Sequence, residues 1–261
     1  TRLLTQDIID EAKSCKEVGN YPFRQGSDGY HHIDEDIQLL KELGIDIYRF
    51  SISWARLYPH GDEEMPNEEG IRFYDHIFKK VHQAGMKIFL TMNHYAVPLY
   101  LVETYGGWTN NILVDFYLRF AKTVFEHWGE YIDYYLPFNE INAGYFSPYN
   151  GVGLVKEKDR PYDQSLVFQS LHHQFVASAK VIELGHKISS QSQNVRASGI
   201  VAAIDKNTDN DIAIVEKCNN LNEIEGTSQN NEGLVSGVLS YSRIKLNLNE
   251  CNNQSSITGN Y

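Results

Sequence analysis

The run His31-His-Ile-Asp-Glu-Asp-Ile-Gln-Leu-Leu-Lys-Glu-Leu-Gly44-Ile-Asp-Ile-Tyr-Arg-Phe-Ser-Ile52 changes its period at a single glycine. Before Gly44, the residues Ile33, Ile37, Leu40 and Leu43 fall on one helical face, and Gly44 supplies a C-terminal stop. After it, Ile45, Ile47 and Phe50 mark a buried strand over Ile45 to Ile52. The same order then recurs. Asn67 caps a second helix, with Glu68 and Glu69 favoured in its electropositive first turn, and Ile71, Tyr74, Ile77, Phe78 and Val81 lead to Gly85. Lys87 to Met92 is the next strand. Asn111 to Trp128 is helical along Leu113, Phe116, Tyr117, Phe120, Val124 and Trp128, Gly129 ends it, and Tyr131 to Phe138 follows as a strand. Asp163 caps a long helix through Leu184, ended by Gly185, before a strand from Ser198 to Ile204. Helix–strand units at roughly 40-residue spacing predict an α/β fold with a parallel sheet and helices outside it, either an open sheet or a (β/α)8 barrel.

The ends are patterned differently. A short helix is expected from Thr5 to Ser14. After about Asp205 the chain is rich in Asn, Ser and Glu and reads as irregular, with strands expected only at Leu234 to Tyr241 and Ile244 to Leu248. The 261 residues, 42% of them hydrophobic, suffice for one large core, and residues 1–261 are read as a single domain.

Composition narrows the function classes. A formal net charge of −11, with no Lys/Arg cluster, argues against nucleic acid as a partner. No apolar run of about 18 residues exists, so no membrane-spanning helix is expected. The opening Thr1-Arg-Leu-Leu-Thr-Gln-Asp7 is too polar for a secretion signal. Cys15, Cys218 and Cys251 form neither a disulfide framework nor a zinc pattern, which fits a reducing, cytoplasmic setting. The pairs His31-His32 and His172-His173 do not have metal-site spacing, so no metal is expected. No Gly-x-Gly-x-x-Gly turn follows a strand, so no nicotinamide cofactor is expected either.

Parallel α/β folds carry their chemistry just beyond the C-terminal ends of the strands. Those positions hold Arg49, Ser51 and Trp54, then Asn93, His94 and Tyr95, then Asn139 and Glu140. A carboxyl, amides, an imidazole, a guanidinium and aromatic rings together suit a sugar, whose hydroxyls need polar partners and whose C–H faces stack on rings. Plainer roles stand beside this one. Arg49 could pair with an acid at the rim, His94 could be a satisfied rim histidine, and Trp54 and Trp108 could be core. Glu140 is the sharpest candidate, because a carboxylate after an apolar strand is costly unless paired or used.

The strings Tyr48-Arg-Phe-Ser-Ile-Ser-Trp-Ala-Arg56, Asn93-His-Tyr-Ala-Val-Pro98, Gly106-Gly-Trp108 and Pro137-Phe-Asn-Glu-Ile-Asn142 resemble glycoside hydrolase family 1, in the family's order and at about its spacing. The likeness covers residues 30–204. The contexts Leu136 to Gly144, Phe146 to Gly151 and His172 to Ala179 look most like its bacterial 6-phospho-β-glucosidase branch. The resemblance implies a (β/α)8 TIM barrel and a retaining β-glycoside hydrolase acting on a β-glucoside or 6-phospho-β-glucoside, without a cofactor. It implies Glu140 as general acid and base, Asn139 on the sugar 2-hydroxyl, His94 on the 3-hydroxyl, Tyr95 lining the glycone site and Arg49 against the nucleophile carboxylate. The acid then holds its proton through partial burial and the repulsion of its carboxylate partner. Self-association into a homo-oligomer is left open.

Three family motifs find no match. The first-strand Gln-x-Glu-Gly type, the Thr-Glu-Asn-Gly nucleophile string and the Ser-x-x-Lys-x-Tyr phosphate loop are not in the sequence. Ile257-Thr-Gly-Asn-Tyr261 comes nearest to the nucleophile string, with Gly at the nucleophile's place, and equally resembles the family's sixth-strand Gly-x-Asn-Tyr type motif, while Ser242-Arg-Ile-Lys245 comes nearest to the phosphate loop. The expectation is a partial or truncated barrel with an acid/base half and an unassigned nucleophile. The alternative is a catalytically impaired fragment or a non-catalytic sugar-binding relative.

Overall fold

A computed structural model of the chain describes residues 5–14, 27–157 and 160–192, together with the strand segments 197–201, 212–217 and 238–240. Its sheet runs β1 (Ile47–Ser51), β2 (Lys87–Asn93), β3 (Ile132–Phe138), β4 (Ala197–Val201), β5 (Ile212–Lys217) and β6 (Val238–Ser240), in sequence order. The first four strands are parallel. The helices are α1 (Gln6–Lys13), α2 (Gly29–Glu42), α3 (Trp54–Leu57), α4 (Glu68–Gln83), α5 (Leu99–Tyr105), α6 (Ile112–Trp128), α7 (Ala143–Phe146), α8 (Pro148–Val152) and α9 (Gln164–Ser192). A parallel sheet with helical crossovers is therefore borne out. The closed barrel is not present among the described residues: the sheet is open, and β5 and β6 attach antiparallel. Ten residues separate β4 from β5, fewer than the dozen or more that a parallel crossover needs, so β5 returns alongside its neighbour.

The expected caps form. The Asn67 side chain accepts from the Glu69 amide at 2.8 Å, and Asp163 accepts from the Ser165 amide at 2.8 Å. Gly44 and Gly85 sit at φ 72° and 82°, left-handed turns that stop α2 and α4 without strain. The core lies between sheet and helices. Ile88, Leu90 and Met92 point from β2 into it, meeting Leu113, Tyr117, Phe120, Val124 and Trp128 of α6. Phe78 stacks flat on Trp128, with ring centroids 5.1 Å apart. Trp54 and Trp108 are 1% and 0% exposed, so their plainer role as core residues holds.

Several expectations need correction. Leu43 is 75% exposed and Ile45 39% exposed. Leu43 is the C-cap residue of α2, already leaving the helical face that buries Ile37. Ile45 precedes β1, which lies at the edge of the sheet with its first four residues half-buried and Ser51 exposed. β5 lies inside the segment read as irregular; its signal was the four-residue apolar run Ile212-Ala-Ile-Val215. Of the two late strands expected, Leu234 to Tyr241 is represented by β6, and Ile244 to Leu248 lies outside the described residues, as do the three cysteines. Gly185 does not end a helix, because α9 continues through it to Ser192.

Close packing explains Gly185. A Cβ there would collide with the Tyr135 hydroxyl on β3 and sit 3.0 Å from the Phe125 ring of α6. Gly185→Ala therefore overpacks the seam where α9, α6 and β3 meet, and should cost about 1–3 kcal/mol, read as a lowered Tm. Tyr135→Phe in the same background removes the nearest colliding atom and should recover part of the loss; full stability in the single variant would refute the packing argument.

Candidate active site

Side chains alternate across a strand, so Arg49 and Ser51 share the face of β1 opposite the helices. The register pairs Arg49 with Phe89 and Ser51 with Thr91 on β2. The Arg49 guanidinium lies 5.5 Å from the Phe89 ring centroid. Its Nε donates to Thr91 Oγ1 at 3.0 Å and its Nη2 to Asn139 Oδ1 at 2.6 Å. Asn139, buried just past β3, also donates its backbone N–H to the Asn93 carbonyl at 2.8 Å. One cation thus ties the ends of β1, β2 and β3 together. Thr91 is a site residue that the residues following the strands do not reveal. Its signal was a polar residue inside an otherwise apolar strand, and it is fully buried.

Two further residues leave their strands strained. Tyr95 and Glu140 have φ of 68° and 43°, and the only other non-glycine residue with positive φ among the described residues is Asp28. Such conformations cost of order 1–3 kcal/mol and persist where surrounding structure holds them. Here they bring the two side chains together, with the Tyr95 hydroxyl donating to Glu140 Oε2. His94 packs edge-on to Tyr95 at 5.1 Å, and its Nδ1 lies 3.1 Å from Ser51 Oγ. The structure therefore gathers Arg49, His94, Tyr95, Asn139 and Glu140 at one end of the sheet, linked through Thr91, Ser51 and Asn93.

The electrostatics follow from burial. The Glu140 carboxyl is raised above its ordinary pKa because partial burial disfavours the anion, and the Arg49 cation offsets part of that rise. Among the described residues Arg49 is the only charge acting on Glu140, so the expected repulsion from a carboxylate partner has no source there. The His94 imidazole keeps a water-exposed edge, but the protein packed around it and the Arg49 cation both lower its pKa. No group of three His, Cys, Asp or Glu side chains among the described residues could hold a metal ion, and none of the described helices is long and apolar enough to cross a membrane.

The raised carboxyl has a consequence for stability. The folded state holds the Glu140 proton to higher pH than the unfolded state does, so ionisation of Glu140 opposes folding. That penalty is absent below the ordinary carboxylate pKa, grows as pH rises through the window up to the raised folded value, and is complete above it. Glu140→Gln should therefore melt higher than the parent at neutral pH, with the difference vanishing in acid. A difference in Tm that is constant with pH would contradict it.

The model of the family Glycosyl hydrolase family 1 matches residues 8–224. The chain belongs to glycosyl hydrolase family 1. Within the family it is 43% identical over 173 residues to the 6-phospho-beta-glucosidase AscB of Escherichia coli K12, covering 66% of this chain and 36% of that one. It is 44% identical over 171 residues to the aryl-phospho-beta-D-glucosidase BglH of Bacillus subtilis 168, with the same coverage. Among solved structures it resembles a beta-glucosidase from Exiguobacterium marinum, with TM-score 0.58, 32% identity, and coverage of 68% of this chain and 38% of the other. It also resembles the virulence factor SghA bound to the substrate analog salicin, with TM-score 0.59, 27% identity, and coverage of 70% and 40%. The chain thus spans little more than a third of the length of the curated relatives it matches.

Proposed function

We propose that the chain carries the acid/base half of a retaining β-glycoside hydrolase of (β/α)8 type. Glu140 is its general acid and base, and its substrate is a β-glucoside that carries a 6-phosphate. The observation that carries this reading is the Glu140 carboxyl itself, held past β3 on a strained turn, hydrogen-bonded by Tyr95 and kept protonated to higher pH by burial. A carboxylic acid poised in this way can protonate a leaving glycosidic oxygen. Asn139 and His94 then address the 2- and 3-hydroxyls, Tyr95 lines the glycone, and Arg49 holds Asn139 while its charge serves a nucleophile carboxylate. The phosphate is argued from the two bacterial relatives, a 6-phospho-beta-glucosidase and an aryl-phospho-beta-D-glucosidase. The domain is single, the compartment cytoplasmic, and neither nucleic acid nor membrane is a partner.

A second reading, a sugar-binding relative without full chemistry, is favoured by the lack of a second carboxylate acting on Glu140 among the described residues. Binding tests what both readings share. Methyl β-glucoside and its 6-phosphate, titrated into isotope-labelled protein, should shift the resonances of His94, Asn139 and Glu140. Shifts confined to other residues would overturn the site, and equal affinity for the two sugars in a form of the protein that includes the phosphate loop would overturn the phosphate preference.

A further inference from the structure

Ser51 stands at the last position of β1, exposed at the rim, with its Oγ 3.1 Å from His94 Nδ1. We infer that Ser51 is a positioning residue: its hydroxyl donates to His94 Nδ1 and fixes the ring proton on Nε2, so that His94 offers an N–H donor to a ligand hydroxyl. The ligand part of this inference rests on the sugar-site reading above; the tautomer part does not.

The argument starts from charge. Burial and the neighbouring Arg49 cation both disfavour imidazolium at this ring, so His94 is neutral near pH 7 and carries one N–H. A neutral imidazole has one donor and one acceptor nitrogen, and the partner of one nitrogen decides the role of the other. A serine hydroxyl has a single proton to give and two lone pairs. Because Ser51 is open to solvent, water can fill those lone pairs while its proton goes to the bare Nδ1. Ring orientation follows as well: the edge-on contact with Tyr95, at 79° between planes, sets the tilt, and the Ser51 contact sets which nitrogen turns toward β1. Asn139 is polarised in the same sense. Its Oδ1 accepts from Arg49, which leaves its Nδ2 hydrogens to donate. The amide and the imidazole then both present N–H groups, and a ligand that satisfies them offers acceptor oxygens, as adjacent sugar hydroxyls do.

Long-range proton–nitrogen correlation spectra of the labelled chain read the His94 tautomer directly, without any ligand or turnover. The parent should carry its proton on Nε2. Ser51→Ala should lower the ratio of Nε2–H to Nδ1–H by about fivefold, the factor that one ordinary hydrogen bond supports. Ser51→Thr keeps a hydroxyl and should hold the parent ratio. A proton found on Nδ1 in the parent, or an unchanged ratio in Ser51→Ala, would overturn the inference. Methyl β-glucoside should bind Ser51→Ala more weakly than Ser51→Thr. Equal binding by the two, with the tautomer shift present, would overturn the ligand role and leave the tautomer role standing.

Discussion

Given an aryl β-glucoside, phosphorylated or not, the chain should turn over orders of magnitude more slowly than a complete family member. A fluorosugar should leave no covalent adduct in its intact mass. Retention needs two carboxyls about 5 Å apart, one to protonate the leaving oxygen and one to attack the anomeric carbon. Glu140 supplies the first. No Thr-Glu-Asn-Gly string occurs in the sequence, and among the described residues no second carboxylate acts on Glu140. Without a nucleophile the glycosyl-enzyme does not form and the covalent route is lost. General acid catalysis alone is worth about 10²–10⁴-fold, so a small residual rate that disappears with Glu140→Gln is expected. Ordinary turnover with a trapped adduct would show that a nucleophile stands elsewhere in the chain, and the impaired reading would fall.

Much of the fold was legible because local and tertiary demands agree over residues 30–192. Asn67 and Asp163 cap where their side chains can reach a free amide, and the α6 stripe from Leu113 to Trp128 is the face the sheet buries. Legibility failed where a residue answers to a distant partner. Gly185 carries the local signature of a stop, yet its lack of a side chain serves Tyr135, fifty residues away in sequence. Leu43 continues an apolar period after the helix face has ended. The antiparallel return of β5 depends on a short connection to β4, which apolar periodicity does not report.

The site divides in the same way. His94, Tyr95, Asn139 and Glu140 were visible as unusual polar residues directly after apolar strands, and Arg49 as a cation inside one. Their couplings were not. That Arg49 reaches Asn139, that Thr91 holds the other side of the guanidinium, and that Ser51 meets His94 all depend on the β1–β2–β3 register, a long-range property. The left-handed turns at Tyr95 and Glu140 were also hidden, since neither residue type announces positive φ.

Those turns shape the largest expected effect of a single substitution. In a form of the protein that includes a nucleophile, Glu140→Gln keeps the size of the side chain and an oxygen that can accept from Tyr95, but it has no proton to deliver. The penalty should depend on the leaving group. Aryl glycosides with acidic phenols depart with little protonation, so the glycosyl-enzyme should still form quickly and accumulate. Alkyl glycosides need the proton in the transition state and should lose about 10²–10⁴-fold. Breakdown of the intermediate should be slow for both, because water needs a general base, and added azide should restore it, since a strong anionic nucleophile does not. If Glu140 instead only buttressed the rim through its charge interaction with Arg49, its replacement would disturb every substrate alike and azide would rescue nothing. Rates for the two leaving-group classes, each with and without azide, therefore separate a proton-transfer role from a purely structural one.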